Sequence, residues 1–295
     1  MIHRAVLLHE SIDGLNLSSG KTYFDGTLGA AGHAAEVYRR FGKDVAIIGT
    51  DRSESAVRHA EEKFKDLPGV HRFVVGNYRD MDAVLAKLGV RNVDAILLDL
   101  GISSDELEHS GRGFSFQKDE PLLMTMSEGK ETITARTIVN TWKEETIADI
   151  LYGYADERYA RRIAKAIARA RRARPIETTF DLVEIVRSAV PAAYRRGKVN
   201  PATKTFQALR IAVNDEIGAL QEGMAKGLDL LANGGRMAII TFHSVEDREV
   251  KNFFRDMAKG KKAKCINKKP IAPSAEEEKE NPRSRSAKLR IIEKV

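Results

Sequence analysis

An open, mostly parallel α/β sheet, with an all-helical insertion between its fourth and fifth strands, is the fold class this sequence predicts. Three observations point to it. Strand and helix signals alternate from Thr22 to Leu100. The stretch from about Asp105 to Pro201 carries helical patterns and no convincing strand. An apolar strand, Arg236–Phe242, then resumes the alternation. Strands alternating with helices of this length imply βαβ units and a parallel sheet.

Each element has its own signal. Thr22-Tyr23-Phe24-Asp25 reads as a short strand, followed by a glycine-rich turn and a helix through Ala34–Arg40. Val45–Asp51 is a buried strand, and Ser53–Phe64 has helical character. His71–Val75 and Val93–Leu100 supply two more strands, with a helix near Met81–Leu88 between them. Beyond the insertion, a long helix over Thr203–Leu231 is expected to stop at Asn233-Gly234-Gly235. The fifth strand, a helix over Val245–Met257 and two terminal segments, Lys264–Lys268 and Lys288–Ile292, complete the pattern. A parallel sheet ending in a C-terminal hairpin is the layout of Rossmann-like class I methyltransferases. The expected parts are residues 1–104 and 202–295 for this core and 105–201 for the insertion. The insertion leaves the sheet at a carboxyl edge, where open α/β sheets bind ligands.

Composition narrows the class. The 295 residues suffice for one large domain or two modest ones. No run approaches the ~20 apolar residues a bilayer requires, and the apolar run near Met1 is too short for a secretory signal. Cys265 is the only cysteine, which excludes a disulfide framework and a cysteine metal cluster. A cytoplasmic protein without a metal is expected. Charge is unevenly spread. Arg158 to Lys204 holds 13 Lys/Arg against three acids, a local +10 in a chain of net +7. Such a patch is the footprint of a polyanion binder; a solvated helix face is the alternative.

The first loop, Asp25-Gly26-Thr27-Leu28-Gly29-Ala30-Ala31-Gly32-His33, spaces its glycines G-x-x-G-x-x-G, not as the dinucleotide fingerprint G-x-G-x-x-G. Asp51 ends the second strand 19 residues after Gly32. An acid there can accept hydrogen bonds from two ribose hydroxyls, or serve as a turn acid. Asp99 closes a strongly apolar fourth strand at the mouth of the site. Tyr78, after the third strand, can flank an adenine ring or simply pack. These features fit a nicotinamide cofactor or S-adenosylmethionine, and the missing fingerprint and terminal strand pair favour the latter.

Two loops leave strand ends toward that site, Asp99–Glu106 and Thr241–Arg248. Ser103 with Glu106, and Ser244 with Asp247, fit the capping box that starts a helix, a role compatible with chemistry. A cysteine nucleophile for C5 methylation is absent from these loops. Asp99 is followed by Leu-Gly-Ile rather than the prolines and aromatic typical of amino-methylating DNA enzymes. No His/Asp/Glu cluster has metal-ligand spacing. On the long helix, Arg210 and Asn214 fall within or beside the apolar stripe Phe206, Leu209, Val213 and Ile217, so pairing at a domain interface or substrate contact is expected of them. Arg161, Lys165, Arg169 and Arg172 line one helical face, spaced to track a phosphate backbone.

Nearly end to end, the sequence resembles the bacterial 16S ribosomal RNA cytosine-N4 methyltransferases of the RsmH/MraW type. The resemblance is carried by His3–Leu8, Asp25–Gly29, Asp99–Ser104, Arg112-Gly113-Phe114-Ser115-Phe116, Phe206–Arg210, Phe242–Arg248 and Asn281–Ser286. It implies methylation of the exocyclic amine of a decoding-centre cytidine in the small ribosomal subunit. It also implies cofactor contacts at Ala31, Gly32, His33, Asp51, Tyr78, Asp99 and Glu106. The chain departs from the family pattern at Ala31, usually glycine, and at Glu106, usually glutamine. It also reads Pro121-Leu122-Leu123-Met124-Thr125-Met126 where Pro-Leu-Asp-Met-Arg-Met is usual.

The expected chemistry is direct in-line methyl transfer. Asp99, Ser103, His243 and Ser244 are the candidate acceptors for the amine protons, and the cytidine must be unstacked to enter. Expected partners are 16S rRNA and the small subunit, with the protein a monomer or homodimer off the membrane. A non-catalytic RNA-binding or ribosome-assembly protein that kept the fold is the alternative, and a nicotinamide oxidoreductase a more distant one.

Overall fold

Successive residues of a strand point to opposite faces, and the central strands here carry apolar side chains on both. In the computed structural model, which describes residues 5–102, 107, 110–126, 133–197 and 199–295, Tyr23, Ile47, Ala95, Leu97, Ala238 and Ile240 enter one core cluster. Their strand neighbours Phe24, Ile48, Ile96, Leu98, Met237 and Ile239 enter another. A sheet buried on both faces needs helices on both. Helices α1 (Leu8–Leu15), α2 (Gly32–Phe41) and α3 (Glu54–Phe64) cover the first face. Helix α4 (Met81–Lys87) and two helices from the C-terminal half cover the second.

The strands are β1 (Thr22–Asp25), β2 (Ala46–Asp51), β3 (His71–Val75), β4 (Val93–Asp99), β5 (Leu231–Thr241), β6 (Ala263–Cys265) and β7 (Lys288–Lys294). Their order is β3-β2-β1-β4-β5-β7-β6. The first five run parallel, and β7 pairs antiparallel with β5 and β6. This is the expected Rossmann-like class I sheet. Strand order reverses between β1 and β4, and the crevice at their carboxyl ends is where such sheets take ligands.

The chain divides into two compact units, Met1–Gly101 with Ile217–Val295, and Ile102–Glu216. The second division falls after Glu216 rather than at the expected 201/202 boundary. The second unit contains α5 (Ala135–Thr141), α6 (Glu144–Ala155), α7 (Ala160–Ala170), α8 (Thr179–Ala189), α9 (Ala192–Arg195) and α10 (Thr203–Asn214). Its core gathers Leu151, Ile163, Ile167, Leu182, Val186 and Leu209 among others. In α7, Ile163, Ala164, Ile167 and Ala168 face inward while Arg161, Lys165 and Arg169 are exposed, the amphipathic arrangement expected of a surface helix.

The long helix expected over Thr203–Leu231 is two helices, α10 and α11 (Glu216–Leu230). Asp215 separates them in a left-handed conformation, φ 48°, which continuous apolar periodicity did not signal. Asn233-Gly234-Gly235 lies inside β5, where the pairing with β4 shifts register. A Cβ at Gly235 would meet the Asp94 carbonyl at 2.9 Å, so glycine lets the strands close. Helix α12 (Ser244–Lys259) follows β5, and α13 (Ala275–Glu280) precedes β7.

Candidate active site

The carboxyl ends of β1, β2 and β4 each finish in an aspartate: Asp25, Asp51 and Asp99. The glycine loop between β1 and α2 is tied to all three. Thr27 N–H donates to Asp25 Oδ1 at 3.2 Å, and Gly29 N–H donates to Asp51 Oδ2 at 2.8 Å. Asp99 N–H donates to Thr27 Oγ1 at 2.7 Å. The loop's shape is therefore fixed by the strand ends it joins. Gly29 has φ +48° and open space where a Cβ would stand, so its backbone is open to approach by a ligand. Ala31 is also left-handed, φ 54°, at the N-cap of α2. Its usual glycine counterpart would adopt that conformation without the Cβ clash.

Burial dominates the electrostatics. It pushes the Asp25 carboxyl up to about 7, against the pull of hydrogen bonds from Thr27 and Tyr23, with the Asp51 charge adding to the rise. Burial also raises Asp51, opposed chiefly by backbone hydrogen bonds from Ser53 and Gly29. Asp99 lies well above the usual carboxylate range, through burial first and then the charges of Asp25, Glu246 and Glu277. No lysine or arginine forms an ion pair with Asp25 or Asp99 among the described residues. Asp99 Oδ1 is buried without a hydrogen-bond partner there. An unpaired buried acceptor costs about 1–3 kcal/mol, a cost retained where a ligand supplies the missing donor or charge. The residues present thus fit a cationic nucleoside cofactor, with carboxylates for its positive centre and hydroxyls, and an open glycine backbone.

His33 is buried on α2, and its Nε2 lies 3.1 Å from the Val6 carbonyl. Donation there leaves Nδ1 as the acceptor nitrogen, 4.0 Å from Asp99 Oδ2. Tyr78 rests against α11: a Cβ at Gly223 would lie 2.6 Å from its ring. Packing is thus one of its roles. Gly32 is contacted from the N-terminal segment, where Ala5 Cβ would be 2.9 Å from an added Cβ.

The second loop corrects an expectation. Ser244 and Asp247 do not form the cap of α12. His243 is the N-cap, its Nδ1 accepting from Glu246 N–H at 3.3 Å, and Glu246 Oε2 accepts from Phe242 N–H at 2.9 Å. Glu246 Oε1 also lies 3.1 Å from His243 Nε2. Asp247 instead accepts from Arg290 at 2.7 and 3.2 Å and from Lys288 at 3.3 Å. Against the upward push of burial, these cations hold its carboxyl below the usual range. The two loops are neighbours, since a Cβ at Gly101 would be 3.5 Å from the Phe242 ring. Asp99, His33 and the His243 loop are thus brought to one region of the sheet edge. Ser103 and Glu106 lie outside the described residues.

In the helical unit, Arg161, Lys165, Arg169 and Arg172 are all exposed. Arg210 is paired, donating to both oxygens of Glu216 at 2.8 Å. Asn214 is buried and acts as a clamp. Its Oδ1 accepts from Met126 N–H at 2.9 Å, and its Nδ2 donates to the Met124 carbonyl at 2.7 Å. The substituted loop, Pro121–Met126, is therefore held by backbone bonds. Met124 N–H donates to the Arg112 carbonyl, and the Leu122 and Leu123 carbonyls accept from Arg136 and Ala135. The absent acid and arginine are not needed to hold it. Asp25, Thr27 and Glu277 were not singled out from sequence. Asp25 carried a signal, an acid ending a strand as Asp51 and Asp99 do. Glu277, which accepts from Leu7 N–H at 2.8 Å, carried none.

Among known proteins, the model described as the MraW methylase family matches residues 1–295. The chain is 44% identical to a protein named ribosomal RNA small subunit methyltransferase H from Symbiobacterium thermophilum, over 99% of this chain and 96% of that one. Proteins of the same name from Ruminiclostridium cellulolyticum and Clostridium botulinum are 43% and 42% identical, each match covering 99% of both chains.

Proposed function

The chain belongs to the MraW methylase family, and from that premise we propose that it methylates N4 of a cytidine in the decoding region of 16S rRNA, using S-adenosylmethionine. The observation that carries the reading is Asp99, whose buried Oδ1 has no hydrogen-bond partner among the described residues at the ligand-binding end of β4. An exocyclic amine is the donor such an atom lacks. The names of the relatives support the substrate class. Among the described residues no helix is long and apolar enough to cross a membrane, in keeping with work on ribosomal subunits in the cytoplasm.

Bound S-adenosylmethionine supplies an electrophilic methyl group; the chain supplies position and a proton acceptor. In this reading Asp51 accepts from the ribose hydroxyls, and Tyr78 flanks the adenine. Ala31, Gly32, His33 and Glu106 complete the contacts. The cytosine amine is a weak nucleophile because its lone pair is delocalised into the ring, so orientation at about 3–3.5 Å matters most. Asp99 accepts an amine N–H and takes the proton the amine sheds. A carboxylate whose affinity for a proton is raised is the better acceptor once ionised. Ser103, His243 and Ser244 hold the same amine edge. The exposed stripe Arg161, Lys165, Arg169 and Arg172 meets the RNA backbone. Incubating the protein and cofactor with small subunits lacking the modification, followed by nucleoside mass spectrometry, tests the proposal. N4-methylcytidine is expected; no methylated cytidine despite measurable cofactor binding would refute the reaction and favour a ribosome-assembly role.

A further inference from the structure

Among the described residues the helical unit buries one carboxylate completely, and its use is visible. Glu157 is 0% exposed. Its Oε1 accepts from Tyr159 N–H at 2.8 Å, and its Oε2 accepts from Tyr194 Oη–H at 2.9 Å. One buried acid thus fixes two half-exposed tyrosines from separate segments. Their rings meet edge to face, 5.0 Å apart at 72°. Arg158, itself exposed, lies over the Tyr159 ring at 4.7 Å and donates Nη2–H to Tyr159 Oη at 2.7 Å. Its guanidinium is also 5.9 Å from the Tyr194 ring. The surface arginine is therefore held on the Tyr159 ring, and one buried carboxylate anchors both the backbone of Tyr159 and the hydroxyl of its edge-to-face neighbour Tyr194.

We infer that Arg158, carried on Tyr159 and Tyr194, is a stacking platform for an unpaired nucleobase of the RNA substrate. This rests on the RNA reading above and adds to it a second contact, distinct from the methylated nucleotide's site. Guanidinium planes and aromatic rings are the surfaces on which unstacked RNA bases settle. Arg161, Lys165, Arg195 and Arg196 are exposed in the same two segments, giving the strand's phosphates their counter-charge. The pairing of a planar cation with aromatic support, inside the most basic stretch of the chain, selects a single-stranded polyanion with bases over a merely anionic partner.

The test exploits the difference between charge and plane. Arg158→Lys keeps the charge and loses the stacking surface. Fluorescence anisotropy would compare the full-length protein and this variant on two labelled RNAs of equal length, one with an unpaired loop and one fully paired, with polyaspartate as competitor. The platform predicts that Arg158→Lys weakens loop binding by about fivefold or more, leaving duplex binding within twofold. Tyr194→Phe, which frees Glu157, should give a smaller loss of the same selectivity. Equal weakening on both RNAs, no change on either, or competition by polyaspartate as effective as by unpaired RNA would each overturn it. The two readings fail separately. Selective loss without any N4-methylcytidine keeps the platform and sinks the reaction, whereas methylated product without selective loss does the reverse.

Discussion

The two units handle charge in opposite ways. The sheet unit draws carboxylates inward: Asp25, Asp51 and Asp99 stand at adjoining strand ends, and burial raises the proton affinity of all three. The helical unit turns cations outward, with Arg161, Lys165, Arg169 and Arg172 in solvent above an apolar core. Buried charge without a partner is costly, and an exposed like-charged stripe repels itself. Neither arrangement stabilises the free protein, so each is best understood through what it binds. A cation fits the first and a polyanion the second.

The comparison breaks most readily at Asp99. Asp99→Asn keeps the shape and removes the acceptor charge, and should lower single-turnover methyl transfer by about 10²–10⁴-fold with RNA affinity unchanged. Near-wild-type turnover in a folded variant would remove Asp99 from the chemistry. Next in size is the clamp on the substituted loop. Asn214→Leu removes the side-chain hydrogen bonds to the buried Met126 N–H and the Met124 carbonyl, and should cost about 2–4 kcal/mol, read as a lower denaturant midpoint. A loss below about 0.5 kcal/mol would show that the loop is held by its other bonds alone.

Replacing Arg161, Lys165, Arg169 and Arg172 together by Gln should weaken RNA binding about tenfold at moderate salt. It should also make the salt dependence shallower by roughly 3 in log–log slope, without altering cofactor affinity. An unchanged slope would assign the stripe to a solvated face. The smallest effect expected is at Ala31. Ala31→Gly relieves a left-handed alanine and should stabilise by about 1 kcal/mol or less, after the entropy glycine adds to the unfolded chain. Destabilisation would mean that packing of the buried methyl outweighs the strain.

The fold was legible because both faces of the sheet are covered, so the strands read as apolar runs ending in acids. Asp51 and Asp99 stood out for that reason, and Asp25 fits the same rule. Legibility failed where a role depends on distant chain. Ser244 and Asp247 have capping-box spacing, yet Arg290 and Lys288 on β7 claim Asp247 and leave the cap to His243 and Glu246. Asn214 sits beside an apolar stripe as an interface or substrate residue would. Its partners, Met124 and Met126, lie far upstream. Asp215 broke a helix whose apolar periodicity runs on unbroken. Glu277 reaches Leu7 across nearly the whole sequence, a contact no local pattern announces.

The central claim, that the sheet unit's carboxylates are arranged for a positive ligand, is tested most directly by calorimetric affinities for S-adenosylmethionine and S-adenosylhomocysteine across pH. The pair differ at the sulfur, charged in one and neutral in the other, so their ratio isolates the response to that charge. Burial pushes the Asp25 carboxyl up to about 7, beside Asp51, Asp99 and the Tyr23 hydroxyl. A cation stabilises its ionised form, so preference for the charged ligand must grow as pH rises through that value. A one-unit drop in the Asp25 pKa on binding predicts a ratio about fivefold larger at pH 8 than at pH 6. A ratio flat across that range, or falling as pH rises, would contradict the account.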